Sequence, residues 1–107
     1  DTPLVKRAPG DIAAWHEYSV DWTPDLLIFR IDGREIYRAS KADVEKYGRW
    51  AFDNPKHLIV NLALGGTYPR GVNKIEKPYF GLAQSTVDAI QRDAVSVSVD
   101  WVRVESR

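Results

Sequence analysis

The chain contains no cysteine among its 107 residues. Disulfides and thiolate metal sites are therefore excluded, and the redox compartment is left open. Excess charge of either sign is also missing, since 15 Lys and Arg balance 15 Asp and Glu. A balanced chain presents no basic face to a polyanion, which argues against a nucleic-acid partner. No run reaches the ~18 apolar residues needed to cross a bilayer, so no membrane partner is expected. The two histidines, His16 and His57, stand far apart and make no metal-ligand pair at helical spacing. Gly65-Gly66 lacks the Lys-Ser/Thr continuation of a phosphate loop, and no G-x-S-x-G elbow occurs. There is no internal repeat and no low-complexity segment. Nothing at the start resembles a signal peptide. The chain opens on Asp-Thr-Pro-Leu rather than Met, as a processed, trimmed or excerpted chain does.

Aromatic residues are plentiful, with four Trp and five Tyr. They bury large areas in cores and also stack on flat ligands. Residues 1–13, with Pro3, Pro9 and Gly10, read as an irregular lead-in. Residues 15–22 alternate, with His16, Tyr18, Val20 and Trp22 on the apolar face. Thr23-Pro24-Asp25 predicts a turn and residues 26–31 a second strand. Asp32-Gly33 predicts a tight hairpin turn, with residues 34–38 as the returning strand. Ser40 and Asp43 stand at capping-box spacing, so one or two helical turns follow, ending at Gly48.

The longest apolar run covers residues 58–64. Read as a central strand, it puts Leu58, Val60, Leu62 and Leu64 on one face and Ile59, Asn61 and Ala63 on the other. An amide and a small residue on one face suit the floor of a binding cleft. A core strand whose Asn61 bonds to neighbouring backbone fits the pattern equally well. Residues 65–94 predict a loop around Tyr68-Pro69-Arg70-Gly71 and Pro78-Tyr79-Phe80-Gly81, then a helix over 85–93 with Ser85 as N-cap. A loop this long in a small domain is usually functional, often a cleft wall, with a simple sheet-edge cover as the alternative. Residues 95–104 predict a last strand, with Val95, Val97, Val99 and Trp101 on one face. The sum is an all-β chain, an antiparallel β-sandwich with one or two short helices in its connections. Its low strand count leaves sheet edges unpaired.

Glycoside hydrolysis needs two carboxylates at a fixed separation. No E-x-D-x-x-E segment surrounds Glu17, Glu35, Glu45, Glu76 or Glu105. Glu17 and Asp21 share a strand face, but about 13 Å apart, too far for either stereochemical outcome.

The order of pieces nevertheless resembles glycoside hydrolase family 16. Residues 16–24, His-Glu-Tyr-Ser-Val-Asp-Trp-Thr-Pro, are similar to its "F-H-x-Y-x-x-E/D-W-x-P" strand, and Ile31-Asp32-Gly33 to its "Y-V-D-G" hairpin. Residues 50–55 and 58–69 resemble "W-P-F-D-Q-P … L-I-L-N-L-A-V-G-G-N-W-P", and residues 99–104 the closing "V-D-Y/W-V-R-V". The laminarinase-like β-glucanase branch matches best. The resemblance implies a jelly roll of concanavalin A-like type, with residues 1–107 as the C-terminal part of the domain. It implies retaining endo-hydrolysis of β-1,3 or mixed-linkage β-glucan by secreted or periplasmic proteins. The family's two catalytic Glu and intervening Asp lie on an upstream strand that this sequence does not contain. No catalytic residue is therefore assigned, and a non-catalytic β-glucan-binding module is the alternative.

By position, Asn61 matches a cleft-floor Asn that hydrogen-bonds sugar hydroxyls. Tyr68 matches the stacking aromatic of the Gly-Gly loop, while Ala63 stands where some members carry a stacking Trp. Trp50 edges the cleft or anchors the loop before residues 58–64. Asp100 resembles a carboxylate that holds a structural calcium, with a solvated Asp as the alternative. His16 reads as a packed core histidine. The expected partners are β-glucan and either the N-terminal half-domain or a second copy.

Overall fold

A turn of two residues fixes the first structured element. In a computed structural model that describes residue 8 and residues 10–106, Asp32 and Gly33 have φ of 52° and 79°. These are the positive values of a type I′ turn, whose twist matches the strands it joins. It connects β2 (Leu26–Ile31) to β3 (Arg34–Ser40), and β1 (Tyr18–Thr23) pairs along the other edge of β2. The sheet is antiparallel, in the order β1-β2-β3. Register places Trp22 beside Leu27 and Leu27 beside Ala39, with Val20, Phe29 and Tyr37 in the next row. A bulge between Phe29 and Arg30 shifts the end of the ladder. On the opposite face Asp21 pairs with Arg30 at 2.9 Å, so that carboxylate is structural.

The meander thus forms as expected, with β1 starting three residues later than the alternation suggested and β3 running to Ser40. α1 (Lys41–Val44) follows as the capping pair predicts. Ser40 Oγ accepts from the Asp43 N–H at 3.1 Å and donates to the Asp43 carboxylate at 2.9 Å. Leu27, Ala39 and Trp50 form a small core, with Tyr37 and Val44 packed against it.

The described residues divide into two units between Leu58 and Ile59. The second holds α2 (Thr67–Asn73) and α3 (Gln84–Gln91). α2 corrects the expected loop. Pro69 looks like a breaker, but it is the third helical residue, where the N–H has no partner within the helix anyway. α3 has Ala83 at its N-cap position, two residues before the expected Ser85, and Val87 is its buried contact. Ser85 does not cap it. Gln84 instead donates to Asp88 across one turn, at 2.8 Å.

Two expected strands are not formed. Residues 58–64 and 95–104 carry no ladder bonds among the described residues. Leu58, Ile59, Val60, Leu62 and Leu64 are more than half exposed, as are Val97, Val99, Trp101 and Val102. An apolar alternation becomes a strand only when a neighbour takes its N–H and C=O groups. The described residues therefore make one antiparallel three-stranded sheet with short helices, compatible with a jelly roll, and no second sheet. No described helix is long and apolar enough to cross a membrane.

Candidate functional site

The second unit builds its best-defined surface around the Gly65-Gly66 pair. Gly66 takes a φ of 114° and caps α2, and its N–H donates to the Phe80 carbonyl at 2.9 Å. α2 ends at Lys74, which is left-handed at φ 60° and donates back to the Arg70 carbonyl at 2.8 Å. The returning segment is tied down twice. The Gly81 N–H donates to the Ile75 carbonyl at 2.9 Å, and the Asn73 amide donates to the Gly81 carbonyl at 2.9 Å. The Arg70 guanidinium lies over the Phe80 ring at 4.5 Å and pairs with Glu76 at 3.5 Å. A cation over a ring face adds a modest attraction of ~0.5–1 kcal/mol at an exposed position.

At the start of α2, beside this braced segment, Tyr68 is 70% exposed. Its backbone is held by the helix while its ring is open to solvent. Tyr79 is exposed on the returning segment, where no spacing signal marks it in the sequence. Such phenols offer a flat apolar face and a hydroxyl, the pairing that sugar rings and other flat amphipathic ligands require. Asn61 belongs to the same unit. Its side chain is exposed, and its amide makes no hydrogen bond within the described residues. Both its donors and its acceptor are thus open to a ligand.

Trp50 belongs to the first unit and is placed differently. It is 2% exposed. Its Nε1 donates to the Pro24 carbonyl at 3.0 Å, and its ring meets Phe52 edge-on with centroids 5.4 Å apart. Its indole is packed within the first unit, with no face open to solvent. Trp22, which the strand pattern put on the apolar face, is half exposed beside Phe52. Its Nε1 donates to the Phe52 carbonyl at 2.7 Å. The two rings line a shallow depression of 350 Å³ together with Asp53 and Asn54.

Asp100 is exposed, and among the described residues no three His, Cys, Asp or Glu side chains converge. Calcium takes six to eight oxygens. One isolated carboxylate does not make such a cage, so these residues do not fit calcium by themselves. Millimolar calcium is accordingly expected to leave the thermal midpoint of the chain unchanged. Calcium at 100 times its Kd would add ~2.7 kcal/mol and a shift of several degrees. A shift of that size in a calorimeter would overturn this reading and show that the chain holds calcium by itself.

The family description "Glycosyl hydrolases family 16" matches residues 6–102. The chain is 34% identical over 91 residues to a beta-glucanase of Rhodothermus marinus, covering 79% of this chain and 30% of that protein. It is 24% identical over 99 residues to a keratan-sulfate endo-1,4-beta-galactosidase of Sphingobacterium multivorum, covering 92% of this chain and 20% of that protein. A glucan endo-1,3-beta-glucosidase A1 of Niallia circulans is 34% identical over 64 residues, 53% of this chain and 9% of that protein. The chain therefore spans less than a third of the length of each of these relatives. No solved structure matches it.

Proposed function

Because the chain belongs to glycosyl hydrolases family 16, we propose that it supplies the glucan-binding side of a β-glucanase domain. In this reading the domain cleaves β-1,3 or mixed-linkage glucan internally, with retention, outside the cell or in the periplasm. Tyr68 stacks on a sugar ring, and Asn61 hydrogen-bonds its hydroxyls. The acid and the nucleophile come from polypeptide beyond these residues, since no E-x-D-x-x-E segment stands among them. That polypeptide, or a second copy of the chain, would also give residues 58–64 and 95–104 their strand partners. The observation that carries the proposal is the exposed Tyr68 ring on α2, a helix held by the returning segment.

The test is laminarin binding and laminarin cleavage by the purified chain. Binding is expected without release of reducing ends. Tyr68→Ala should weaken binding about tenfold, because a lost stacking contact is worth ~1 kcal/mol or slightly more. Unchanged affinity would remove Tyr68 from the site. Cleavage by the chain alone would overturn the placement of the carboxylates elsewhere. The absence of the carboxylate segment also favours a second reading, a β-glucan-binding module without catalysis. Joining the chain to an upstream segment that carries the E-x-D-x-x-E strand separates the two, since only the enzyme reading gains hydrolysis.

A further inference from the structure

His16 was expected in a packed core, but it stands between the lead-in and the β2–β3 turn. Its Nδ1 lies 2.6 Å from Asp32 Oδ2, and its Nε2 lies 2.7 Å from the Asp11 carbonyl oxygen. Both partners are acceptors with no proton to give, one a carboxylate and the other a carbonyl. A neutral imidazole has one N–H and can serve only one of them. The imidazolium has two and serves both.

Each partner is itself held in place. Asp32 Oδ1 accepts from the Glu17 N–H at 2.9 Å, and the Asp32 N–H donates to the Glu17 carbonyl at 2.8 Å. Asp11 Oδ1 accepts from the Ala13 N–H at 2.8 Å. The titratable groups facing the ring are Asp32 from the turn, Asp11 from the lead-in and Tyr18 from β1, whose ring meets it edge-on at 6.0 Å. Both carboxylates favour the cation.

We infer that His16 is a pH-operated clasp that, as imidazolium, ties residues 11–15 through its ring to the β2–β3 turn and releases them when it loses a proton. The remaining proton stays on Nδ1, facing the carboxylate, which is the stronger acceptor. Nε2 then turns a lone pair toward the lone pairs of the Asp11 carbonyl, and that link is lost. The released segment carries Ile12 and Trp15, both exposed apolar side chains. The direction of titration agrees with the geometry. The bond to Asp32, then that to the Asp11 carbonyl, holds His16 above the ordinary value of 6.5. The Glu17 N–H, then His16, holds Asp32 below the usual carboxylate value. With a raised histidine value, the clasp is whole below the unfolded value and opens as pH rises through the folded one. With a lowered carboxylate value, it fails at the acid end, as Asp32 takes up a proton.

The test is a nitrogen-resolved NMR titration of the His16 ring in the full chain, run with backbone order parameters for residues 13–15. Both ring nitrogens should be protonated on the acid side of the His16 midpoint, and that midpoint should lie above 6.5. Order parameters should fall from ~0.85 to below ~0.6 across that midpoint, while Leu27 in β2 stays rigid. Asp32→Asn should move the midpoint down. His16→Gln should leave the segment loose at every pH. A wild-type midpoint at or below 6.5, or a lead-in whose order does not follow the His16 titration, overturns the clasp. The wild-type titration decides the matter even where a variant fails to fold.

Discussion

Trp50→Ala is expected to unfold the three-stranded sheet near room temperature. The core of the first unit is small, and Trp50 is its largest member, packed with Leu27 and Ala39. Cutting a buried Trp to Ala costs ~3–5 kcal/mol. Single domains are stable by only ~5–15 kcal/mol, and small ones lie near the bottom of that range. The loss is therefore comparable to the whole stability of the unit. Trp50→Phe should cost much less, ~1 kcal/mol for the missing bond to the Pro24 carbonyl plus the area lost. Trp15→Ala should cost almost nothing, because that ring is exposed. Urea unfolding followed by far-ultraviolet circular dichroism ranks the three. A Trp50→Ala midpoint equal to that of Trp15→Ala would show that the core lies elsewhere.

That core also shows which parts of the fold could be read in advance. Residues 15–40 carry their own instructions. Asp32-Gly33 sets the turn, the turn sets the register, and the register aligns Trp22, Leu27 and Ala39 on one face. All of these contacts are local in sequence. Residues 58–64 and 95–104 show equally clear apolar patterns, yet form no strand. A pattern states which side chains seek burial, whereas a strand also needs a neighbour for its backbone. α2 was hidden for the opposite reason. Pro69 and Gly71 are breakers by propensity, but a proline in the first helical turn breaks no bond.

The candidate site was legible to a smaller degree. Asn61 stood out as the one polar side chain in an apolar run, and Tyr68 as an aromatic after two glycines. Trp50 was ambiguous, because a Trp beside Phe and Pro can equally line a cleft or fill a core. In the structure its indole is buried in the core of the first unit. The His16 clasp could have been found from the hairpin. Extending the Tyr18–Ile31 pairing by one step sets Glu17 opposite Asp32, one residue from His16. The Asp11 carbonyl could not, since no side-chain pattern reports where a backbone oxygen will point.

The brace around Tyr68 predicts opposite effects for two nearby glycines. Gly81 has a φ of 85°, where a side chain is strained, and an added Cβ would lie 2.6 Å from the Arg70 nitrogen and 2.7 Å from the Pro69 carbonyl carbon. Those atoms are backbone of α2 and cannot rotate aside. Gly81→Ala should therefore cost ~2–4 kcal/mol, from left-handed strain of ~1 kcal/mol and overpacking of ~1–3 kcal/mol. It should shift α2 and, with it, the ring of Tyr68. Gly71 lies inside α2, and an added Cβ there meets nothing within 4 Å. Gly71→Ala should stabilise the helix by up to ~1 kcal/mol, because alanine loses less backbone freedom on becoming helical. Proton–nitrogen spectra of the two variants, read at Gly66 and Lys74, whose N–H groups bond to Phe80 and Arg70, report the outcome directly. Gly81→Ala should displace both signals and reduce laminarin binding. Gly71→Ala should leave both in place and binding intact. If Gly81→Ala leaves the two amides unmoved, the returning segment does not brace the loop, and the exposed Tyr68 ring is held by α2 alone.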